Sequence, residues 1–308
     1  MTDQGPWDCA TTSRIALIGD LHSAWDIPDV DYFNASPYEL LLLVGDLGGS
    51  RARDGLRIAR SLARLERRAL VMPGNNDVDE YARIAAELTY RRGRADLLED
   101  LLPGETPTEA GESELRPRTC GYSSHPLSVA GLDFTVIAGR PFSMGGAQLS
   151  FREALERSFG VRSMAESAAR LCELVERAPT EHLVFFAHNG PTGLGAERHA
   201  VWGRDFDPAA GDWGDADLRE AITHARSRRR KPLAVIAGHM HSPLRGGGQR
   251  EWQRLHDGIL YVNAARVPRV FEGPHGPVRH HVALTLAPGG ARVEEVLVPD
   301  STNCRDRA

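Results

Sequence analysis

Five short motifs carrying Asp, His and Asn follow one another along this chain: Gly19-Asp20-Leu21-His22, Gly45-Asp46-Leu47-Gly48-Gly49, Gly74-Asn75-Asn76-Asp77, His188-Asn189-Gly190-Pro191 and Gly238-His239-Met240-His241. Carboxylate, amide and imidazole groups are donors to divalent metals, so the set as a whole reads as a metal site. No single motif carries that reading, because Gly-Asp after a strand is commonly only a turn.

Such donors act together only if the fold brings them to one point. Each motif sits at the end of an apolar run: Ile15 to Ile18, Leu40 to Val44, Ala69 to Met72, Leu183 to Ala187 and Leu233 to Ala237. Runs of that length bounded by Gly, Pro, Asn or Asp read as buried strands. Side chains delivered from the ends of several strands of one sheet converge at its edge, where open α/β sheets bind ligands. Leu56, Ala59, Leu62 and Leu65 recur at helical spacing after the second strand, as do Tyr81, Ile84, Ala85 and Leu88 after the third. That alternation implies crossover connections and a largely parallel sheet core.

A further strand, Phe134 to Ala138, leads into Gly139-Arg140-Pro141, and a helical stretch from Phe151 to Ala178, divided at Gly160, precedes His188. After His241 the chain turns to strands, Ile259 to Asn263, His281 to Leu286 and Val293 to Val298. Two packed sheets with helices on the outer faces are expected. Pro, Gly and Glu dominate residues 103–118, which read as a loop. The motifs run from Asp20 to His241, and any division inside that span would split the site. One domain over residues 14–300 is therefore expected, with tails at 1–13 and 301–308.

Composition narrows the classes of function. A chain of 308 residues with 41% hydrophobic content can bury a sizeable core. No stretch approaches the ~20 consecutive apolar residues of a membrane span. The polar N-terminus lacks the basic start and apolar centre of a signal peptide, so a cytoplasmic protein with no membrane partner is expected. Cys9, Cys120, Cys172 and Cys304 lie far apart without a Cys-x-x-Cys pair, suggesting neither a zinc knuckle nor a disulfide framework. A net charge of -5 offers no general attraction to nucleic acid. The cations from Arg226 to Lys231 read as the basic close of a helix, where positive charge suits the dipole.

The order Asp-x-His, Gly-Asp, Gly-Asn-x-Asp, His and Gly-His-x-His resembles the calcineurin-like metallophosphoesterase superfamily over roughly residues 14–265. The resemblance implies a four-layer α/β/β/α sandwich of two mixed sheets with a two-metal site. It implies Asp20, His22, Asp46 and His241 as ligands of one ion, and Asp46, Asn75, His188 and His239 as ligands of the other, with Asp46 shared. The chemistry agrees: two divalent ions about 3.5 to 4 Å apart need a bridging carboxylate. Oxygen donors mixed with imidazole nitrogens, and no thiolate, suit Mn, Fe or Zn better than Mg or Ca. Gly238 is expected to open the backbone so that His239 and His241 both reach the metals. The implied reaction is hydrolysis of a phosphate ester by a hydroxide bridging the two ions.

Phosphomonoesterases of the superfamily typically carry Gly-Asn-His at the third motif, and that His assists the leaving oxygen. This chain has Asn76 instead. An amide is no general acid near neutral pH, so the change favours phosphodiester over phosphomonoester substrates. Arg140 follows a strand at the same edge and is a candidate phosphate fork. Residues 199–217, with Trp202 and Trp213, are a candidate specificity lid, and Asp217 with Glu220 fits a capping box on a helix from Leu218 to Arg226. The expected partner is a phosphorylated small molecule or nucleotide rather than a nucleic acid. Two other functions compete: a non-catalytic scaffold on the same fold, against which the complete donor set argues, and a protein or nucleotide phosphatase.

Overall fold

The computed structural model describes residues 13–49, 54–90, 117–207, 209 and 211–300. β1 (Ser13–Ile18) leads to α1 (Ile27–Ala35), and β2 (Leu40–Leu43) to α2 (Asp54–Leu62). β3 (Ala69–Val71) leads to a 3-10 turn over Asn75–Glu80 that runs into α3 (Tyr81–Tyr90). β4 (Pro117–Thr119), β5 (Ser123–Val129) and β6 (Leu132–Ala138) follow, then α4 (Arg152–Phe159), α5 (Met164–Arg177), β7 (His182–Phe186), α6 (Ala216–Ser227) and β8 (Lys231–Ala237). The last strands are β9 (Gln253–His256), β10 (Ile259–Asn263), β11 (Val270–Gly273), β12 (Gly276–Ala287) and β13 (Gly290–Pro299).

These strands form two mixed sheets. The first has the order β11-β12-β1-β2-β3-β4, with β13 paired to β12 and with β1 to β4 parallel. The second has the order β5-β6-β7-β8-β10-β9, with β6, β7, β8 and β10 parallel. Parallel neighbours end at the same edge. The loops after β1, β2 and β3 therefore emerge together, as do those after β7 and β8.

The apolar runs have a simple cause, because the central strands are covered on both faces. In β2, Leu40 and Leu42 pack between the sheets, while Leu41 and Leu43 face Val30 and Phe33 of α1, Ile58 and Leu62 of α2 and Ile84 of α3. In β7, Val184 and Phe186 join the inter-sheet core, while Leu183 and Phe185 pack with Leu155 of α4, Leu171 of α5 and Leu218 of α6. The result is an α/β/β/α sandwich. Each fully buried Leu contributes roughly 1.5–3 kcal/mol, which holds the strand ends in place.

The differences from expectation lie mainly at the margins. β4, β5, β9 and β11 were not legible as apolar runs, and they are the outermost strands of their sheets. Residues 117 and 118 belong to β4 rather than to a loop, with Pro117 at the start of an edge strand, where its missing N–H is tolerated. The rest of that expected loop, 103–116, and the tails 1–12 and 301–308 lie outside the described residues, while Ser13 begins β1. Gly160, at φ 69°, ends α4 before α5 starts. Cys120 and Cys172 are free thiols, and Cys9 and Cys304 lie outside the described residues. Three of the five cations from Arg226 to Lys231 are held in ion pairs, Arg226 with Asp257 at 2.9 Å, Arg228 with Glu176 at 2.7 Å and Lys231 with Glu181 at 3.1 Å. Among the described residues, no helix is long and apolar enough to cross a membrane.

Candidate metal centre

The loops after β1, β2, β3, β7 and β8 meet at one edge of the sandwich and bring the candidate ligands together. They come from both sheets rather than one. Asp20, His22, Asp46 and Asn75 leave the first sheet, and His188, His239 and His241 leave the second. Two triads result, Asp20 with His22 and His241, and Asp46 with His188 and His239, each with its donor atoms within 4.8 Å of one another. The Nε2 atoms of His22 and His241 stand 3.1 Å apart, and Asp20 Oδ2 lies 3.1 Å from His241 Nε2. Asn75 Oδ1 lies 3.0 Å from His188 Nε2. Asp46 faces both triads, with Oδ2 3.7 Å from His22 Nε2 and Oδ1 3.6 Å from His188 Nε2. Donors about 2.1 Å from a common ion stand roughly 3 Å apart when adjacent, so the spacing and the oxygen-nitrogen donor set fit divalent cations.

Local backbone geometry makes this convergence possible. His22 (φ 41°), Asp46 (φ 47°) and His239 (φ 66°) all occupy the left-handed region, which costs a non-glycine residue roughly 1–3 kcal/mol and recurs at functional sites. The bend in the last motif thus falls on His239, not on Gly238. What Gly238 supplies is room, since a Cβ there would lie 2.4 Å from Asp20 Oδ1. Gly74 does the same for Asp46, where a Cβ would lie 2.1 Å from Oδ1 and 2.7 Å from the His188 ring.

A layer of hydrogen bonds orients the donors. His188 Nδ1 lies 2.7 Å from the Val44 carbonyl, which can only accept, so Nδ1 carries a proton and Nε2 is the nitrogen turned toward Asp46 and Asn75. The Asn76 backbone N–H donates to Asp46 Oδ1 at 2.9 Å, and its Nδ2 donates to Asp46 Oδ2 at 3.2 Å. Its Oδ1 accepts from Asn75 Nδ2 at 3.1 Å, which turns Asn75 Oδ1 toward His188. The sequence places Asn76 among the candidate catalytic residues; in the structure it is hydrogen-bonded to two candidate ligands, Asp46 and Asn75. Asp77 adds a contact the sequence did not suggest, because its partners are backbone groups: Oδ1 accepts from Leu47 N–H at 2.9 Å and Oδ2 from Gly74 N–H at 2.8 Å. Burial and the nearby Asp46 push Asp77 up to about 7.

Charge follows the same geometry. Burial would raise Asp20, but the His241 hydrogen bond and the charges of His188, His241 and His22 hold it below the carboxylate range. Burial raises Asp46, with His188 working against the shift. For His188 and His241 burial works downward and is outweighed, by Asp46 and Asp20 at His188 and by Asp20 at His241. His239 is pushed down to about 3 by burial and by His188, so its ring is neutral near pH 7 and has a lone pair to give.

His22, Asp46, Asn75, Asn76, His239 and His241 line a cavity of 860 Å³. Arg140 does not serve it as a phosphate fork. It is buried away from the cavity lining and already paired with two carboxylates, with Nε 2.9 Å from Asp217 Oδ2 and Nη2 2.8 Å from Asp215 Oδ1. The same pairing removes the expected capping box. Asp217 binds Arg140 and Ser167, while Asp215 stands at the N-cap of α6 without a side-chain cap bond. Trp202 is a core residue, donating from Nε1 to Gly238 O at 3.2 Å, whereas Trp213 lines the cavity and donates to Met144 O at 2.6 Å. Phe206, from the candidate lid segment 199–217, also lines it, as do Met144 and Arg245, which no local motif marked.

The model of the calcineurin-like phosphoesterase family matches residues 13–243. Among solved structures, the chain is similar to vacuolar protein sorting 29 from Cryptosporidium parvum, at 9% identity, over 94% of this chain and 100% of that one, with a TM-score of 0.32. It is also similar to PhoD, at 9% identity, over 95% of this chain and 72% of that one, with a TM-score of 0.44. A conserved uncharacterised protein from Streptococcus pneumoniae TIGR4, described as a predicted phosphoesterase, aligns at 9% identity over 92% of this chain and 98% of that one, with a TM-score of 0.29. No curated protein matches the chain.

Proposed function

Since the chain belongs to the calcineurin-like phosphoesterase family, we propose that it hydrolyses phosphate esters with two divalent ions, and phosphodiesters in preference to monoesters. The observation that carries the reading is the placement of Asp46, whose two oxygens face two different triads of candidate ligands. Asp20, His22 and His241 would hold one ion and Asn75, His188 and His239 the other, with Asp46 shared; Mn, Fe or Zn suits that donor set. When bound, divalent ions supply positive charge to phosphoryl oxygens and lower the pKa of water.

The chain's own groups do the positioning. Val44 O fixes the His188 tautomer, and Asn76 fixes Asp46 and Asn75, so the donors need no reorganisation as charge develops. The Asn76 side-chain amide donates one hydrogen bond to Asp46 Oδ2 and has no acidic proton for a leaving oxygen, which supports substrates whose leaving group departs unprotonated.

Mn-loaded protein assayed on bis(4-nitrophenyl) phosphate and on glycerol phosphate tests this reading. kcat/KM for the diester should exceed that for the alkyl monoester by on the order of 10²-fold, the usual loss when a general acid is missing. Equal rates overturn the diester preference. No hydrolysis of either ester by protein with bound metal overturns the enzyme reading.

A further inference from the structure

The cavity continues from the candidate ligands onto an apolar wall that the proposed chemistry does not use. Met144 and Phe206 are 45% and 44% exposed, and both line this cavity. Large apolar side chains left open together beside a polar site mark a binding surface. The wall is tied to the metal centre. Met144 lines the same cavity as His239 and His241, and its backbone carbonyl accepts from Trp213 Nε1 at 2.6 Å. Phe206 meets Trp213 edge to face, with centroids 5.1 Å apart at 86°.

Trp213 is half-buried and packed by its neighbours, so it serves as support for the wall. A Cβ at Gly146 would lie 3.2 Å from its six-membered ring, and the Arg204 guanidinium sits 5.2 Å from a ring centroid. Phe206 remains open to the cavity. Arg245 stands 5.9 Å from the Phe206 ring centre and is the one Lys or Arg lining the cavity among the described residues. The neighbouring carboxylate, Asp205, is engaged by Arg250 at 3.0 Å and by the Arg245 backbone N–H at 2.8 Å. A cation and an exposed aromatic face thus adjoin the metal centre.

We propose that Phe206, Met144 and Arg245 form a subsite for the non-leaving group of a phosphodiester that carries a flat aromatic ring, either an aryl group or a nucleobase. The inference rests on the phosphodiesterase reading and names its substrate class. The ring lies against Phe206 and Met144, and the guanidinium of Arg245 attracts the anionic diester.

Three diesters with the same 4-nitrophenolate leaving group isolate the subsite: bis(4-nitrophenyl) phosphate, thymidine 5'-(4-nitrophenyl) phosphate and methyl 4-nitrophenyl phosphate. Loss of one stacking contact is worth about 1–3 kcal/mol, so Phe206→Ala should cut the preference for an aromatic diester over the methyl diester by about 10-fold, mainly through KM. A drop confined to the aryl diester assigns an aryl substrate, and a drop confined to the nucleoside diester assigns a nucleotide; either supports the subsite. An unchanged preference overturns it. Calorimetric binding of diphenyl phosphate separates this from the hydrolytic reading. If wild-type protein cleaves no diester, that reading fails, while about 10-fold weaker diphenyl phosphate binding in Phe206→Ala still supports the subsite. Equal binding by both proteins overturns the subsite and leaves hydrolysis untouched.

Discussion

Asp20 and Asp46 are buried as deeply as Asp29, Asp215 and Asp217, yet the two sets meet opposite surroundings. Asp215 and Asp217 share the Arg140 guanidinium at 2.8 and 2.9 Å, and Asp29 takes Arg269 at 2.9 Å and Arg279 at 2.6 Å. Among the described residues, the ion pairs of Asp20 and Asp46 are with histidines. A carboxylate removed from water without a matching charge costs several kcal/mol. The structural carboxylates have permanent cations built into the fold, whereas those at the sheet edges are surrounded by groups that are themselves metal donors. The difference is what the proposed metal centre would account for, since bound cations would supply the missing positive charge.

The largest effect should come from removing Asp46, the carboxylate that belongs to one triad and lies 3.7 Å from His22 of the other. Asp46→Ala is expected to lower metal content and hydrolysis together, with kcat/KM down by on the order of 10³-fold, the upper range for loss of one electrostatic group. Elemental analysis and steady-state kinetics read both quantities. Normal metal content with full activity would erase the contrast.

Arg140→Met tests the other side, because it leaves Asp215 and Asp217 buried without their cation. Breaking such a pair from one side costs about 3–5 kcal/mol, measurable as a shift in the urea unfolding midpoint. A cost under about 1 kcal/mol would show that the guanidinium is not what keeps these carboxylates inside.

Asn76→Ala sharpens the contrast at the next layer out. The loss of a side chain that orients metal ligands typically costs 10–100-fold in metal affinity or activity, and a metal titration followed by activity should show that weakening. Unchanged metal affinity and activity would show that the Asn76 side chain does not orient the ligands.

The smallest effect concerns imidazoles remote from the site. His280 and His281 on β12 are each pushed down to about 3, first by burial, then by Arg266 and Arg269 beside His280 and by Arg269 beside His281. With folded values below the unfolded value of about 6.5, the unfolded chain takes up protons first. Their contribution is complete above about pH 6.5 and is lost as pH falls toward 3, by up to about 1.4 kcal/mol per pH unit for each ring. His281→Gln should flatten the dependence of unfolding free energy on pH between about 6 and 4.5, and an unaltered slope would contradict the assignment.

The sequence made the centre of the molecule legible and its margins less so. Central strands such as β2 and β7 are covered on both faces, which leaves an unbroken apolar signature. Edge strands such as β9 are half solvated, with Leu255 71% exposed, and carry no such run. The ligand motifs were readable because each occupies the turn directly after a central strand. Arg140 was misread because its partners lie 75 and 77 residues further along the chain, beyond any local pattern. Asp77 escaped because it binds backbone amides, which no residue type announces. Phe206 and Met144 belong to loops that come together only in the folded chain.

The central claim is that Asp46 stands between two ions. Titration of Mn(II) followed by electron paramagnetic resonance tests it directly. The account predicts two equivalents bound per chain, with a spectrum of two exchange-coupled ions that disappears in Asp46→Ala; saturation at one equivalent, or two ions with no coupling, would contradict it.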